Sequence, residues 1–457
     1  VPMSDPTPLA LLRRFADELS AELQQELDSQ IANVDFKQLA RLCSSEEAKV
    51  DWSAMAERAE PPPAVRLGQT PEFGDAITAK NRGEKLLRDG KVAAILVAGG
   101  QGTRLGFDKP KGLFPIGPVS GRSLFQIHCD RLLAVMQRYD VSIPLLVMTS
   151  PATDQETREY FAENNNFGLA PEQLQVFCQG TMPAVDASTG EVLLAEKHQI
   201  ALSPDGHGGV LAALDNTGCL EKAKDAGIEY FFYAQVDNPL VQLCDPSLLG
   251  YHALAESQLT TQVVQKRFAT EKVGNVVLVD GKVQIIEYSD LPDAAAEKTN
   301  EDGSLKLWAG NIAVHIFNRD FLQSVASDAD GLPFHRAHKK VPFVDDSGEL
   351  INPAEPNAIK FERFVFDLLP MADKAIVVEG DASEVFAPVK NAEGAAVDTA
   401  SHSRAAQVAL HRSWLTEAGA TVPDDIQVEI HPRWALSPED IGERVQGVTF
   451  EADTYLQ

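Results

Sequence analysis

A glycine-rich segment that follows an apolar run carries the residues best suited to chemistry. The run Val92–Val97 is continuous and apolar, as expected for a strand buried on both faces. Three glycines within four positions come directly after it: Gly99, Gly100 and Gly102. Three cations and one carboxylate then follow: Arg104, Lys109, Lys111 and Asp108. Glycine lets the backbone approach a ligand closely and leaves its N–H groups free to bind anionic oxygens. The segment therefore predicts a phosphate-binding site at the carboxyl end of a buried strand.

Two common nucleotide-binding motifs do not fit this segment. A Walker A loop requires Lys-Ser/Thr directly after its last glycine, whereas Phe107 follows Gly106. The dinucleotide fingerprint GxGxxG cannot be placed on this spacing, which disfavours a nicotinamide oxidoreductase. A glycine turn with incidental surface cations is the structural alternative to a phosphate site.

A carboxylate follows a second apolar run. Asp237 comes directly after residues 231–236, so its side chain is predicted at a strand end, where α/β sheets bind ligands. A hard oxygen ligand at that place suits Mg²⁺ that bridges phosphate oxygens. The alternative is an aspartate that caps the next loop.

The order of the elements predicts an α/β fold. Apolar runs at residues 92–97, 143–148 and 230–236 alternate with segments that can form helices, such as 123–138. This alternation is typical of a mostly parallel sheet with helices on both sides. Asp280-Gly281 lies between two apolar runs and predicts a hairpin, so we expect a mixed sheet. Further strands are predicted at residues 312–317 and 375–378.

We expect three parts along the chain: an N-terminal helical segment (1–88), a central domain (89–375) and a small C-terminal domain (376–457). Apolar residues recur every three or four positions from Leu9 to Leu27, the spacing of one helical face. The run Glu-Pro-Pro-Pro at residues 60–63 marks a linker. The C-terminal part begins its helical stretch near residue 401, and Gly419 ends it.

Composition excludes several function classes. The 457 residues include 40 Lys+Arg and 67 Asp+Glu, so the formal net charge is −27. That charge argues against nonspecific binding to nucleic acid or to an anionic membrane, which needs a basic face. The five cysteines form no CxxC motif or Cys/His cluster, which argues against a disulfide framework and a structural zinc site. No apolar stretch approaches the ~20 residues of a membrane helix, so we expect a cytoplasmic protein.

Ordered blocks of the sequence resemble the UDP-sugar pyrophosphorylases, and most closely the UDP-N-acetylhexosamine pyrophosphorylase branch. These blocks are residues 98–106 with 110–112, 204–209, 235–238, 287–289, 310–311, 361–367 and 386–391. The resemblance implies a mixed, mostly parallel Rossmann-like (GT-A-like) nucleotidyltransferase sheet. It also implies the reversible reaction of UTP with N-acetylglucosamine 1-phosphate, giving UDP-N-acetylglucosamine and pyrophosphate, with Mg²⁺ or Mn²⁺. The implied partners are therefore small molecules.

The resemblance assigns roles to individual residues. The implied catalytic cations, which would hold the triphosphate and the sugar phosphate, are Arg104, Lys111 and Lys390. The implied nucleotide-binding residues are Val97, Ala98, Gly99, Gly100, Gly102, Thr103, Gln179, Gly206 and His207. The implied sugar-binding residues are Asn238, Glu287, Tyr288, Asn311, Phe364 and Phe366, and the implied metal ligand is Asp237. Phe364 and Phe366 are spaced two apart, which alone would indicate core residues of a strand.

One residue departs from the branch that the sequence otherwise resembles most. That branch has asparagine where this chain has His207, and the UDP-glucose branch has histidine there. A neutral imidazole can donate one hydrogen bond and accept one, so nucleotide binding survives the exchange. A UDP-glucose, UDP-galactose or broad UDP-sugar pyrophosphorylase therefore stays an alternative. A nucleotide-sugar-binding regulator without catalysis is the alternative from another class.

Overall fold

The computed structural model describes residues 7–44, 51–327 and 331–457. Two stretches of the predicted N-terminal segment, residues 1–6 and 45–50, lie outside the described residues. The chain packs into two compact units. The first unit is Val1–Asp51, Gln179–Ala213 and Ala329–Asp367, and the second is Trp52–Cys178, Leu214–Asp328 and Leu368–Gln457. Both predicted domain limits, after residues 88 and 375, fall inside the second unit, and the three-part division stays a prediction.

The described residues form helices in both units. The α-helices are α1 Thr7–Leu12, α2 Ala21–Ala32, α3 Phe36–Ser44, α4 Trp52–Arg58, α5 Ala76–Arg88, α6 Leu124–Tyr139, α7 Asp154–Glu163, α8 Val210–Asn216, α9 Cys219–Asp225, α10 Pro246–Leu254, α11 Asp293–Ala296, α12 Arg319–Ala326, α13 Ala382–Val385 and α14 Ala400–Glu417. The 3₁₀ turns are Ala16–Glu18, Thr103–Leu105, Lys111–Leu113, Asn165–Gly168, His207–Gly209, Val365–Leu368 and Pro438–Asp440. None of the helices in the described ranges is long and apolar enough to cross a membrane.

The strands are mostly short. They are β1 Ala64–Val65, β2 Val92–Val97, β3 Leu145–Thr149, β4 Leu174–Cys178, β5 Thr181–Pro183, β6 Val185–Asp186, β7 Leu194–Glu196, β8 Gln199–Ile200, β9 Leu202–Pro204, β10 Tyr230–Gln235, β11 Leu259–Gln265, β12 Asn275–Val279, β13 Lys282–Ile286, β14 Ala309–Asn318, β15 His335–Lys339, β16 Phe343–Val344, β17 Leu350–Ile351, β18 Ala358–Glu362, β19 Ala375–Glu379, β20 Val428–Ile430 and β21 Thr454–Leu456.

The second unit contains the large sheet. Its strand order is β1-β19-β11-β14-β10-β2-β3-β4, with the β12–β13 pair joined to β14. The neighbours of β14 on this path run antiparallel to it, and the other neighbouring pairs are parallel. The prediction of an α/β fold with a mixed, mostly parallel sheet is thus confirmed. The β12–β13 hairpin is also confirmed, because Asp280 and Gly281 take φ of 50° and 79° at its turn.

Continuous apolar runs explain why the middle of this sheet is buried. Every residue of β2 and β3 is buried, and helix α6 contributes Leu124, Phe125 and Leu132 to the same core. Ser123 begins α6 with a capping box, in which it accepts from the Gln126 N–H and Gln126 in turn accepts from the Ser123 N–H. In the C-terminal part, α14 packs on β20, which pairs in parallel with β21. All five cysteines lie in the described ranges, and no disulfide joins any two of them.

The first unit is built from helices and small sheets. Its sheets are β15-β18-β6, β16-β17, β5-β9 and β7-β8. The helical face predicted from Leu9 to Leu27 is interrupted between α1 and α2, because Ser20 is extended and its side chain caps α2 by accepting from the Leu23 N–H. Leu12, Phe15, Leu27 and Ile31 nevertheless share one apolar cluster with residues of β7, β8 and β16.

Candidate active site

Two parallel strands of the second unit deliver the predicted phosphate-side residues to one sheet edge. Strands β2 and β10 are neighbours, and Val97 lies opposite Gln235 at their carboxyl ends. The Val236 N–H donates to the Val97 carbonyl at 3.0 Å, so the two chains leave the sheet side by side. The glycine segment follows β2 and Asp237 follows β10, which is the position that open α/β sheets use for ligands.

The glycine segment folds back on itself. The Gly102 N–H donates to the Lys109 carbonyl at 2.9 Å, and the Lys111 N–H donates to the Gly100 carbonyl at 3.0 Å. A Cβ at Gly102 would lie 2.7 Å from the Phe107 carbonyl oxygen, so the fold itself requires glycine there. A Cβ at Gly100 would meet no described atom within 4 Å, and its φ is not positive. The fold does not require glycine at 100, whereas close approach of a ligand would.

The cations of this segment differ in their surroundings. Lys111 Nζ lies 3.5 Å from Asp237 Oδ2, and the two side chains are only 18% and 13% exposed. Arg104 and Lys109 are exposed. The structure therefore brings together two of the predicted residues, Lys111 and Asp237, as a partly buried charge pair. Such a pair is screened less by solvent than an exposed one.

A segment from the C-terminal part of the chain is fixed to the same strand end. The Val389 N–H donates to the Asp237 carbonyl at 2.9 Å, and the Lys390 N–H donates to the Asp398 carbonyl at 2.8 Å. Lys390 Nζ lies 5.6 Å from the centre of the Phe386 ring. Burial raises the pKa of Asp398, while the Lys390 and Arg267 charges lower it and the Asp237 charge raises it. Lys390 thus belongs to the same cluster of charges as Asp237.

Asn238 is buried and its amide binds backbone groups. Its Nδ2 donates to the Val385 carbonyl at 2.7 Å. Its Oδ1 accepts from the N–H groups of Leu240 at 3.2 Å and Ala387 at 3.0 Å. The side chain therefore ties the strand end of β10 to the segment that carries Lys390. Its predicted contact with the sugar stays a prediction.

Three other predicted sugar-binding residues lie at the β13–β14 side of the second unit. Burial raises the pKa of the Glu287 carboxyl, as does the Asp290 charge, while the Lys390 charge lowers it. The Asn311 N–H donates to the Gly274 carbonyl at 2.8 Å, and its Oδ1 accepts from the Ala313 N–H at 3.0 Å. Tyr288 is 48% exposed. The effect of Lys390 on Glu287 places the predicted sugar-side carboxylate within electrostatic reach of the phosphate-side lysine.

The donor set limits how a metal could bind. Across residues 7–44, 51–327 and 331–457, no group of three or more His, Cys, Asp and Glu side chains is arranged to hold a metal. Asp237 offers a hard carboxylate oxygen at a strand end. Mg²⁺ is commonly held by one or two carboxylates together with substrate phosphates and water. The residues present therefore fit a divalent ion that substrate oxygens complete.

The predicted base-side residues lie in the first unit, where the uncharged ring of His207 packs against two aromatic rings. His207 Nδ1 accepts from the Val365 N–H at 3.2 Å, which places the ring proton on Nε2. The His207 ring centre lies 5.4 Å from that of Phe364 and 5.7 Å from that of Phe366. Burial and, to a lesser extent, the nearby His335 lower the pKa of His207 to about 4. His207 is thus a neutral ring whose Nε2–H can donate.

The two phenylalanines do not lie on a strand. Strand β18 ends at Glu362, and Phe366 belongs to the 3₁₀ turn Val365–Leu368. Their rings stack at 5.0 Å, and both residues are half-buried. The expectation from their spacing alone, that they are core residues of a strand, is therefore wrong, because the chain turns after Glu362.

The loop that carries His207 requires glycine at position 206. Gly206 takes φ of 85°, and a Cβ there would overlap the Arg363 carbonyl oxygen. The Gly208 N–H donates to that same carbonyl at 2.9 Å. Gln179, the residue predicted to bind the base, is 9% exposed and precedes Gly180, whose carbonyl accepts from the Asp205 N–H at 3.1 Å.

Sequence reasoning missed several residues that hold these predicted groups in place. Asp205 and Arg363 organise the first-unit cluster, and Asp398 fixes the Lys390 segment. Asp205 and Arg363 lie within blocks of the sequence that resemble the family, and this is the one feature that could have indicated them. Partners that are far apart in sequence cannot be recognised from spacing.

The chain is similar to known proteins over most of its length. A family model described as UTP–glucose-1-phosphate uridylyltransferase matches residues 34–416. UDP-N-acetylhexosamine pyrophosphorylase-like protein 1 of Homo sapiens is 37% identical over 428 residues, covering 90% of this chain and 84% of that protein. UDP-N-acetylglucosamine pyrophosphorylase of Saccharomyces cerevisiae is 38% identical over 368 residues, covering 79% of this chain and 77% of that protein. The crystal structure of the Trypanosoma brucei UDP-N-acetylglucosamine pyrophosphorylase with an inhibitor aligns with a TM-score of 0.75 at 27% identity, covering 97% of this chain and 95% of that chain.

Proposed function

Because the chain belongs to the UTP–glucose-1-phosphate uridylyltransferase family, we propose that it joins UTP to N-acetylglucosamine 1-phosphate, releasing pyrophosphate. The names of relatives 37% and 38% identical support the N-acetylhexosamine branch. The observation that carries the proposal is the Lys111–Asp237 pair at the adjacent carboxyl ends of β2 and β10. It combines a cation for phosphate with a carboxylate for a metal, beside a loop whose Gly100 leaves open space.

The chemistry is a nucleotidyl transfer without an enzyme-bound intermediate. An oxygen of the sugar phosphate attacks the α-phosphorus of UTP, a new P–O bond forms, and the bond between the α-phosphorus and the bridging oxygen breaks. Pyrophosphate leaves with that oxygen and its electron pair. Catalysis of this kind consists of positioning and of stabilising negative charge. A divalent ion such as Mg²⁺ or Mn²⁺, held by Asp237, would neutralise part of the phosphate charge.

The chain's own residues would divide this work. The backbone of residues 97–103 would bind the triphosphate, and Arg104 and Lys111 would neutralise the leaving pyrophosphate. Lys390 would hold the sugar phosphate. Gln179, Gly206 and His207 would bind the uracil and ribose, with the Nε2–H of His207 as a fixed donor. The sugar would contact Glu287, Tyr288 and Asn311, with Phe364 and Phe366 as the apolar wall of an N-acetyl pocket and Asn238 as a positioning group.

A second candidate within the family has a specific observation in its favour. His207 is the residue of the UDP-glucose branch, and the matching family model is described by glucose 1-phosphate. A UDP-glucose, UDP-galactose or broad-specificity UDP-sugar pyrophosphorylase is therefore the alternative to the N-acetylglucosamine enzyme.

A pyrophosphate-release assay tests these proposals directly. The purified chain is assayed with UTP, CTP, ATP and GTP against N-acetylglucosamine, N-acetylgalactosamine, glucose and galactose 1-phosphates. We expect the highest kcat/KM with UTP and N-acetylglucosamine 1-phosphate. A preference for the glucose or galactose ester would favour the second candidate. Nucleotide binding without turnover on any uridine pair would instead support a regulator that lacks catalysis.

A further inference from the structure

Asp205 is a buried acid in the first unit, and the proposed reaction assigns it no role. It is only 4% exposed, and its Oδ1 has no hydrogen-bond partner within the described part of the chain. Burial raises the pKa of this carboxyl, while the Arg363 charge lowers it. Burying a polar atom without a hydrogen-bond partner destabilises the folded chain. A group kept at this cost in a loop that carries Gly206 and His207 calls for an explanation.

Two glycines make room for this carboxylate. A Cβ at Gly180 would lie 2.9 Å from Asp205 Oδ2, and a Cβ at Gly209 would overlap Asp205 Oδ1. Neither glycine has a positive φ, so the backbone conformation does not itself demand glycine at these two positions. The requirement comes from the Asp205 side chain, which occupies the space that a side chain at 180 or 209 would need. The carboxylate is therefore a spacer packed directly against two backbone segments.

The backbone of Asp205 joins the same segments. Its N–H donates to the Gly180 carbonyl at 3.1 Å, and its carbonyl accepts from the Arg363 N–H at 2.7 Å. The Gly208 N–H then donates to the Arg363 carbonyl at 2.9 Å. Residues 179–180, 205–209 and 363–366, named here the three base-side segments, thus meet at Asp205. They carry Gln179, His207 and the Phe364–Phe366 stack.

Arg363 supplies the counter-charge without contacting the carboxylate in an ion pair. Its guanidinium carbon lies 4.0 Å from the centre of the Phe334 ring, and its Nε has no hydrogen-bond partner in the described residues. Desolvation lowers the pKa of Arg363, while the Asp205 charge raises it. The two charges stabilise each other at a distance, so the position of the carboxylate is set by packing on the glycines and not by a direct salt bridge.

We infer that Asp205 is a positioning residue for base recognition: its carboxylate sets the spacing between Gln179 and His207, and thereby the preference of this chain for uracil over cytosine. This inference rests on the proposed function. Asp205 itself is too buried to touch the nucleotide. A site that fixes its hydrogen-bonding groups rejects a base with the wrong donors and acceptors, and it loses this discrimination when those groups shift.

Steady-state kinetics with UTP and CTP test the inference in the whole chain. For Asp205→Ala, we expect the KM for UTP to rise about tenfold and the UTP-over-CTP ratio of kcat/KM to fall about tenfold. The KM for the sugar 1-phosphate and the kcat with UTP should stay within about twofold. Asp205→Asn keeps the shape of the side chain and should retain most of the discrimination. Asp345→Ala removes an exposed turn carboxylate of the same unit and serves as the control.

A double-mutant cycle separates spacing from general destabilisation. Gly209→Ala alone should reproduce the loss of discrimination, because the added Cβ displaces the carboxylate. In Asp205→Ala/Gly209→Ala, the atoms that the Cβ would overlap are gone, so the double variant should be no worse than either single variant. Additive losses, equal changes in the KM values of both substrates, a lower Tm with unchanged discrimination, or an Asp205→Asn variant as impaired as Asp205→Ala would each overturn the inference. Wild-type turnover with UTP is measured first. Its absence would reject the proposed function, whereas wild-type turnover with unaltered discrimination in Asp205→Ala would reject this inference alone.

Discussion

The predicted phosphate-side residues and the predicted base-side residues use opposite physical chemistry. In the second unit, the predicted phosphate-side groups are charged. Lys111 and Asp237 lie in the loops that follow strands β2 and β10, and Lys390 lies in the segment that is hydrogen-bonded to Asp237. In the first unit, the predicted base-side groups are the uncharged side chains of Gln179 and His207, and His207 lies among backbone hydrogen bonds and stacked rings. A reaction that transfers charge between phosphates needs the first kind of site, and reading a neutral base needs the second.

This difference separates the expected kinetic phenotypes. Changes to the second-unit charges should affect kcat, because their largest effect comes when negative charge moves to the leaving group. Changes to the first-unit cluster should affect nucleotide KM and base preference, because hydrogen bonds to the base are equally strong before and during the reaction. Mixed phenotypes would mean that the two regions are not specialised in this way.

The largest expected effect is that of removing the Lys111 charge. Lys111→Ala should lower kcat about 10²–10³-fold, the usual cost of removing one electrostatic group from a transition state. The loss in kcat should be severalfold greater than any increase in the KM for the sugar 1-phosphate. Lys109→Ala is the matched control, since this exposed lysine lies in the same loop, and it should leave kcat within about twofold. Equal losses of kcat and of affinity would mean that Lys111 only binds.

The next effect concerns the open space at Gly100. Gly100→Ala should leave the Tm unchanged, because a Cβ there meets no described atom within 4 Å. It should raise the KM for UTP about tenfold or more, since the added methyl group would occupy the space where we propose that the triphosphate approaches the backbone. Thermal unfolding and steady-state kinetics on the same preparation give both readouts. A variant with wild-type KM would show that no ligand uses this space.

A smaller effect is expected at Lys390. Lys390→Ala should raise the KM for the sugar 1-phosphate about tenfold while the KM for UTP changes less, because one charge-assisted contact is lost. Lys374→Ala, which removes an exposed lysine of the same unit, is the control. A selective increase in the KM for UTP would assign Lys390 to the triphosphate instead.

The smallest effect is a pH dependence of stability from buried neutral histidines. Burial lowers the pKa of His128, His207 and His252 to about 4, from an ordinary value of 6.5. Between about pH 6.5 and pH 4 the unfolded chain therefore binds more protons than the folded chain, and the free energy of unfolding should fall as pH falls through this window. Urea unfolding at pH 7.5, 6 and 5 measures it, and His252→Asn should flatten the slope. A stability that is constant or rises towards pH 5 would contradict these assignments.

The sequence predicted the second-unit region better than the first. Strand β2 and the β12–β13 hairpin were predicted from continuous apolar runs and from Asp280-Gly281, because both signals are local. Asp237 was predicted at a strand end for the same reason, and the structure brings it to Lys111. Local patterns suffice here, since parallel neighbouring strands bring their following loops together.

The first-unit cluster could not be assembled from the sequence in this way. Its hydrogen bonds join residues 179–180, 205–209 and 363–366, which no period or turn motif connects. The spacing of Phe364 and Phe366 indicated a strand, whereas the chain turns after Glu362. The interruption of the helical face near Ser20 was not predicted, because the spacing of apolar residues does not indicate where a helix cap lies. The first-unit cluster is therefore formed by contacts between residues far apart in sequence, which local patterns cannot predict.

The binding site of the triphosphate can be determined from a crystal structure of the chain with UTP. We expect the triphosphate to lie against the N–H groups of residues 99–103, within reach of Lys111, with Asp237 on the side of the α-phosphate. A triphosphate bound elsewhere on the chain, with the Gly100 space empty and Asp237 remote from every phosphate, would contradict this expectation.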